Sequence, residues 1–519
     1  MANSKKKQKK QNNSKSEDVK SDFITVASHQ LRTPISAIRW SLDTLLSART
    51  GKLSDKQKEI VSQAYQNNKF MVKVVNDLLR VSRLEEKGIN LVPKFVNFEK
   101  LVKELLSRHK YFADACNCKI SIVVENNLPK VYIDPLQIKP VINGLIDNAI
   151  RYGRDKGTVK INLKKSKNRV LFKIEDKGIG IPLNQKDLVF SQFFRAQNAM
   201  KTQTEGLGLD LYLAKKIIEA SGGEINFSSV VNKGTIFNAY LPISKNQVKE
   251  NDDEKIKKIV EENPEDILKK EREFVSITVH ELKAPLGLSK WSLEMLKGGK
   301  SGNLTEKQLG LIDQVYRGNE RLLVLVRDLL NLSKLQEGKF EIKPERIQLS
   351  KDIFQVVDGF HIEAKRKNIN LQLVKPKNKL PKVIADRNRI AQVATNLISN
   401  AIKYTPANGK VIVSLKKISG KKLEDMSDDN TTVNINHTDN KKGYLVFSVK
   451  DSGIGISDKD QKKLFSRFFR SEKVLESETE GTGLGLYITK SIINLHKGDI
   501  WFKSKLGHGS EFYFSLPIA

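Results

Sequence analysis

Between Ser54 and Leu84 the apolar positions Ile60, Ala64, Phe70, Val74, Leu78 and Val81 recur at helical spacing with polar residues between them. That pattern predicts one amphipathic helix, opened by Ser54 as its cap. Ser21–Ala48 predicts a helix before it, bent at Pro34, with Gly51 and Lys52 turning the chain between the two. Such a hairpin cannot bury both apolar stripes alone, so it needs a second hairpin and a four-helix bundle. After Pro93 the period changes. Short strands at Lys119–Glu125, Thr158–Leu163 and Val170–Glu175 alternate with helices at Pro135–Tyr152 and Leu211–Ser221, and a strand pair closes around Gly234–Phe237. The fold class is α+β and multidomain, a helical hairpin followed by an α/β layer.

The same order occurs twice. FITVASHQLRTPISAI at 23–38 matches FVSITVHELKAPLGL at 274–288, His29 matching His280 and Pro34 matching Pro285. Downstream, Asp77 matches Asp328, Asn148 matches Asn400, Asp176 matches Asp451, and Phe193-Phe194-Arg195 matches Phe468-Phe469-Arg470. A repeat on this scale sets the domain map. It comprises a basic tail (1–20), hairpin one (21–90), α/β domain one (91–244), a charged helical linker (245–272), hairpin two (273–338) and α/β domain two (339–519). The linker is expected to break or restart at Pro264. The second copy carries an insertion at 420–443, polar and poor in large apolar residues, expected to be a flexible surface loop.

The net charge of +31 changes the picture little, because the lysines are scattered among acidic residues as on solvated faces. Only the tail concentrates them, as a disordered spacer. A nucleic-acid partner would rest on charge alone, and no specific one is expected. No apolar run approaches the ~18 residues of a membrane span. Two cysteines, Cys116 and Cys118, cannot build a disulfide framework. Both features lead us to expect a soluble, cytoplasmic protein.

The candidate chemistry sits in four places. His280 falls opposite the apolar residues Phe274, Ile277, Leu282 and Leu286, with Glu281 beside it to orient the imidazole and take its proton. Asn396 and Asn400 lie four residues apart on one helix face, where amide oxygens suit Mg²⁺ when phosphates complete the shell. Lys403 follows on that face, placed to meet phosphate. Asp451, with Gly453 and Gly455, ends a strand: the glycines let backbone approach a nucleotide, and the carboxylate can accept from adenine's amino group. Gly481, Gly483 and Gly485 open a helix whose free N–H groups favour phosphate.

Together these motifs resemble the phosphoacceptor, N, first glycine, F and second glycine boxes of bacterial sensor histidine kinases, over both modules. The resemblance implies dimerising phosphoacceptor hairpins and α/β-sandwich ATP-binding domains of the type shared with gyrase, Hsp90 and MutL. It implies that His280 attacks the γ-phosphate of ATP with Glu281 as proton acceptor. Asn400, supported by Asn396, would hold Mg²⁺, Asp451 would read adenine, and a lid would span about Ser471–Glu480. The partner implied is the receiver domain of a separate response regulator. Self-association through the hairpins would give either a homodimer or an intramolecular pseudo-dimer. The alternative reading is a non-catalytic scaffold that binds a regulator or another histidine kinase.

The copies depart from the family pattern differently. Module two has Ala284 where the family carries Thr or Asn, which implies weak phosphatase activity. Module one keeps Asn148, Asp176, Gly178 and Gly180, and His29 remains a candidate acceptor. Gln30, however, replaces the acid, Gly144 stands at the place of Asn396, and Asp210 at that of Gly485. A carboxylate where backbone should meet phosphate repels a triphosphate. We therefore expect module two to be the active kinase and module one a degenerate partner with weakened ATP binding.

Overall fold

The computed structural model describes residues 26–28, 30–87, 89–153, 157–202, 206–245, 264–299, 301–376, 378–424, 442–471 and 481–519. They form two compact units, divided between Leu323 and Val324. In chain order the first unit contains helices α1 (30–46) and α2 (Asp55–Lys87), strand β1 (Lys94–Val96), α3 (Phe98–Ala115), β2 (Lys119–Val124), β3 (Val131–Ile133), α4 (Pro135–Arg151), β4 (Thr158–Ser166), β5 (Arg169–Asp176), α5 (Asp210–Ala220), β6 (Glu224–Val230), β7 (Gly234–Pro242) and α6 (Pro264–Lys297). Next comes α7 (Glu306–Gln336), within which the division falls. The second unit continues with β8 (Glu345–Ile347), α8 (Leu349–Arg366), β9 (Asn370–Val374), β10 (Val383–Ala385), α9 (Arg387–Tyr404), β11 (Lys410–Ile418), β12 (Tyr444–Asp451), α10 (Gly485–Leu495), β13 (Ile500–Lys505) and β14 (Gly509–Pro517).

Each α/β domain is a five-stranded sheet with helices on one face. The order is β2-β4-β5-β7-β6 in the first and β9-β11-β12-β14-β13 in the second. Only β2/β4 and β9/β11 are parallel. Strand β5 buries every second residue, the period of a sheet with one covered face. Its buried Val170, Phe172 and Ile174 lie beneath helices whose own buried residues recur at helical spacing, such as Ile138, Val141, Ile142 and Leu145 of α4. Asp134 caps α4 through the Leu136 N–H (2.8 Å), and Asp386 caps α9 through the Arg389 N–H (3.1 Å). These caps fix where the asparagine-bearing helices begin, and so where the amides fall.

In the first unit the two hairpins pack on one another, α2 running along α6. The apolar residues Leu31, Ile35, Leu42, Val74, Leu282 and Leu286 are buried. The α1–α2 turn is closed reciprocally: the Gln57 N–H donates to Ser54 Oγ (3.3 Å) and the Ser54 N–H to Gln57 Oε1 (2.9 Å). Thr305 and Gln308 repeat that box in the second hairpin. The spare amide of Gln57 then donates to Gly302 O and Asn303 O, and that of Gln308 to Gly51 O (3.2 Å). Each turn thus recognises the other. Buried Asn68 and Asn319 donate to Ile35 O and Leu286 O, the carbonyls just after the helix prolines Pro34 and Pro285.

Two expectations change here. Phe70, assigned to the hairpin stripe, is only half-buried and lines the cavity of the α/β domain instead. The insertion does not begin as a loop. Gly420–Glu424 is a helical turn that sets Leu423 among Tyr444, Val446, Trp501 and Tyr513, all buried. Trp501 and Tyr513 stack with ring centroids 5.3 Å apart, on a sheet face where module one has Asn226 and Asn238. An apolar outer face needs a cover, and Leu423 supplies part of it. The expected tail (1–20) and most of the insertion lie outside the described residues, as does most of the linker, whose helix begins at Pro264.

Candidate functional site

In each α/β domain the last residue of a central strand, Asp176 or Asp451, turns its carboxylate back onto the following loop. Asp176 Oδ1 accepts from the N–H of Gly178 (2.8 Å) and of Thr235 (3.2 Å). Asp451 Oδ1 accepts from Gly453 (2.8 Å) and Ser510 (3.1 Å). Burial pushes both carboxyls up, against the pull of these N–H groups, and Asp176 reaches about 6. Gly180 and Gly455 have φ of +65° and +67°, and a Cβ on either would lie 2.1 Å from the carbonyl of Val230 or Lys505. Only glycine fits there.

In module one this floor opens into a cavity of about 170 Å³ lined by Asn148, Asp176, Gly206 and Asp210, with Phe70 and Lys73 reaching in from α2. Gly180, Gly208 and Arg151 also line it. Arg151 corresponds to Lys403 and is paired with Asp147 at 2.7 Å. In module two, Lys403 Nζ lies 3.4 Å from the place a Cβ of Gly481 would take, so the cation stands beside the glycine loop. The Asn400 amide is half-buried and makes no hydrogen bond among the described residues. Asn396 differs: its amide donates to Thr489 Oγ1 (2.9 Å) and so ties α9 to α10.

Asp210, the carboxylate expected to repel a triphosphate, has a cation beside it. Lys73 Nζ lies 3.0 Å from Asp210 Oδ2. Burial acts to lower the Lys73 amine, but the Asp210 and Asp77 carboxylates outweigh it and hold the amine above its usual range. The pair is only partly covered and contributes ~0–1 kcal/mol, so it directs geometry more than stability. Gly144 and Asp210 also complement one another: a Cβ on Gly144 would lie 3.7 Å from that of Asp210. In module two a Cβ on Gly485 would lie 2.6 Å from Asn396 Oδ1. The polar side chain has changed helices and its facing glycine has moved the other way. Sequence reading missed this because the two positions are far apart in the chain.

Both modules join their second glycine box to the second hairpin helix, one helical turn apart. Thr482 Oγ1 donates to Asp328 Oδ2 (2.9 Å) in module two, whereas Lys73 meets Asp210 in module one. Burial pushes Asp328 up to about 6, against the Thr482 hydrogen bond. Its counterpart Asp77 rises to about 7, through burial and then Asp210, with Lys73 and Arg80 opposing. Folding therefore takes up a proton at Asp77 between the ordinary 3.8 and about 7, and stability falls as pH rises through that window. We expect Asp77→Asn to flatten the urea-midpoint profile of the first unit between pH 4 and 7. It should raise stability at pH 8 by on the order of 1–3 kcal/mol. An unchanged slope would show that Asp77 does not titrate there.

His280 is 88% exposed on α6, and its Nδ1 lies 3.9 Å from Oε1 of Glu281, which is 18% exposed. Glu281 Oε2 accepts from the N–H of Gly206 (3.4 Å), in the glycine loop of module one. Val279, Leu282 and Leu286 are buried, while Ile277 is half-buried. His29 and lid residues 472–480 lie outside the described residues.

Fold and site together define paired helical hairpins, each followed by a nucleotide-binding type of α/β domain. Two family models each match twice. The His Kinase A (phospho-acceptor) domain matches 19–87 and 270–338, and the Histidine kinase-, DNA gyrase B-, and HSP90-like ATPase matches 133–245 and 385–519. The chain belongs to the sensor histidine kinases and carries their two domains in tandem. Sensor histidine kinase WalK of Bacillus subtilis is 35% identical over 246 residues, covering 47% of this chain and 36% of that protein. Circadian input-output histidine kinase CikA of Synechococcus elongatus is 26% identical over 225 residues, covering 43% and 30%. The chain thus spans about a third of the length of these relatives. Full-length ShkA, solved with AMPPNP, aligns over 48% of this chain and 46% of its own at 26% identity and a TM-score of 0.37. Among the described residues no helix is long and apolar enough to cross a membrane.

Proposed function

We propose that this chain is an ATP-dependent protein-histidine kinase of a two-component system, with His280 as acceptor. The observation that supports it best is the exposed imidazole of His280 beside the largely buried carboxylate of Glu281, in a chain with two domains of the ATPase family. With Nδ1 on the Glu281 side, the Nε2 lone pair faces outward. Nε2 attacks the γ-phosphorus, a nitrogen–phosphorus bond forms, the bond to the β-bridging oxygen breaks and ADP leaves. The ring proton passes from Nδ1 to Glu281. Asp451 and Asp176 accept from the adenine amine, with Gly453, Gly455, Gly178 and Gly180 shaping the backbone around it. Lys403 and the N–H groups at Gly481, Gly483 and Gly485 face the phosphates. Asn400, and Asn148 in module one, have the oxygen chemistry Mg²⁺ prefers, and the ion would neutralise charge on the phosphates. The phosphoryl group then moves to an aspartate of a separate receiver domain.

The paired hairpins supply the family's self-association within one chain, which predicts a native mass of a single chain. The chemical test is incubation with Mg-ATP followed by fragment mass spectrometry. The expected product is acid-labile, base-stable phosphate on His280 that an isolated receiver domain removes onto its aspartate. Phosphate absent, or found on serine or threonine alone, would overturn the reading.

A further inference from the structure

We infer that His280, the acceptor of the second module, is served by the nucleotide site of the first. The inference rests on the kinase reading above and assigns which site feeds which histidine. Glu281 is the pivot. Its Oε1 approaches His280 Nδ1, while its Oε2 accepts from Gly206 N–H at 3.4 Å. Gly206 lines the module-one cavity together with Asn148 and Asp176, so one carboxylate joins the acceptor of one module to the phosphate loop of the other.

The neighbouring wall agrees. Phe70 and Lys73 bring α2 into the same cavity, and α2 packs along α6, which carries His280. The cavity is therefore walled on one side by the hairpin helix that packs along α6. Module one also retains what binding needs: the Asp176 floor, the Asn148 amide, and an Asp210 charge already balanced by Lys73. The step is the one described above, with the triphosphate bound between Asp176 and Gly206. A nitrogen–phosphorus bond forms at His280, ADP is released into the module-one site, and the proton goes to Glu281.

The test uses the full chain as Asn148→Asp and Asn400→Asp, each placing a negative charge beside one triphosphate site. Equivalents of a fluorescent ATP analogue bound per chain are counted first, and the initial rate of His280 phosphorylation is then mapped by mass spectrometry at several chain concentrations. We expect each variant to lose one of two equivalents. The His280 rate should fall at least tenfold further in Asn148→Asp than in Asn400→Asp, and the rate per chain should not depend on concentration. The opposite order, a rate rising in proportion to chain concentration, or an unaltered chain with a single equivalent that only Asn400→Asp removes, each overturns the assignment. If the unaltered chain binds two equivalents and never labels His280, the kinase reading fails, and the assignment with it.

Discussion

Asp451→Asn is expected to weaken ATP binding at the second module about 10–100-fold, and Asp176→Asn to do the same at the first. In each, Oδ1 is held by two backbone N–H groups, from Gly453 and Ser510 or from Gly178 and Thr235. An asparagine keeps those bonds only by turning its oxygen to them, which points its NH₂ at the ligand. An adenine amine then meets a donor, and an unmatched buried donor costs about 1–3 kcal/mol, the stated factor in affinity. A guanine carries a carbonyl at that edge and should gain where adenine loses. Titration of each variant with both nucleotides reads this directly. Equal ATP affinity in variant and parent would mean that the carboxylate does not face the base.

The second large effect is at Gly485. Aspartate there, the residue module one carries, would place its Cβ 2.6 Å from Asn396 Oδ1, inside contact distance. Overpacking of this kind costs about 1–3 kcal/mol, and α10 must shift away from α9. The Asn396–Thr489 hydrogen bond would be strained at the same time. We expect Gly485→Asp to lower the urea midpoint of the second unit accordingly. The double variant Asn396→Gly with Gly485→Asp should recover most of the packing loss, because it reproduces the Gly144/Asp210 pairing. A coupling of about 0.5–3 kcal/mol between the two positions is the expected signature. Simple additivity would show that the exchange between modules is unrelated drift.

The two examples mark what a linear reading can reach. The strands, the helices and Asp176 were legible because hydrophobic period and turn residues are local, and His280 because its neighbour is the next residue. Asp210 was legible as a charge but not as a paired one. Its cation, Lys73, lies on another domain's helix, beside an apolar stripe read only for burial. Gly144 looked like a loss for the same reason: the side chain that replaces the missing amide comes from a different helix. Phe70 was assigned to the bundle by its spacing, yet a helix packed on two sides has two apolar stripes and a single period cannot separate them. Leu423 escaped notice in a largely polar stretch, although the aromatics Trp501 and Tyr513 on the outer face of β13 and β14 needed a cover.

The mutual bonds of Gln57 and Gln308 bear on how such a chain can change over generations. In a dimer of identical subunits every substitution arrives twice and faces its own copy, so a change useful on one side is imposed on the other. When both halves belong to one polypeptide, a new residue meets an unaltered opposite number. A lysine at 73 can arise without a lysine at 324, where valine stands, and an aspartate at 210 without one at 485. Fusion frees the two halves to inherit separate duties.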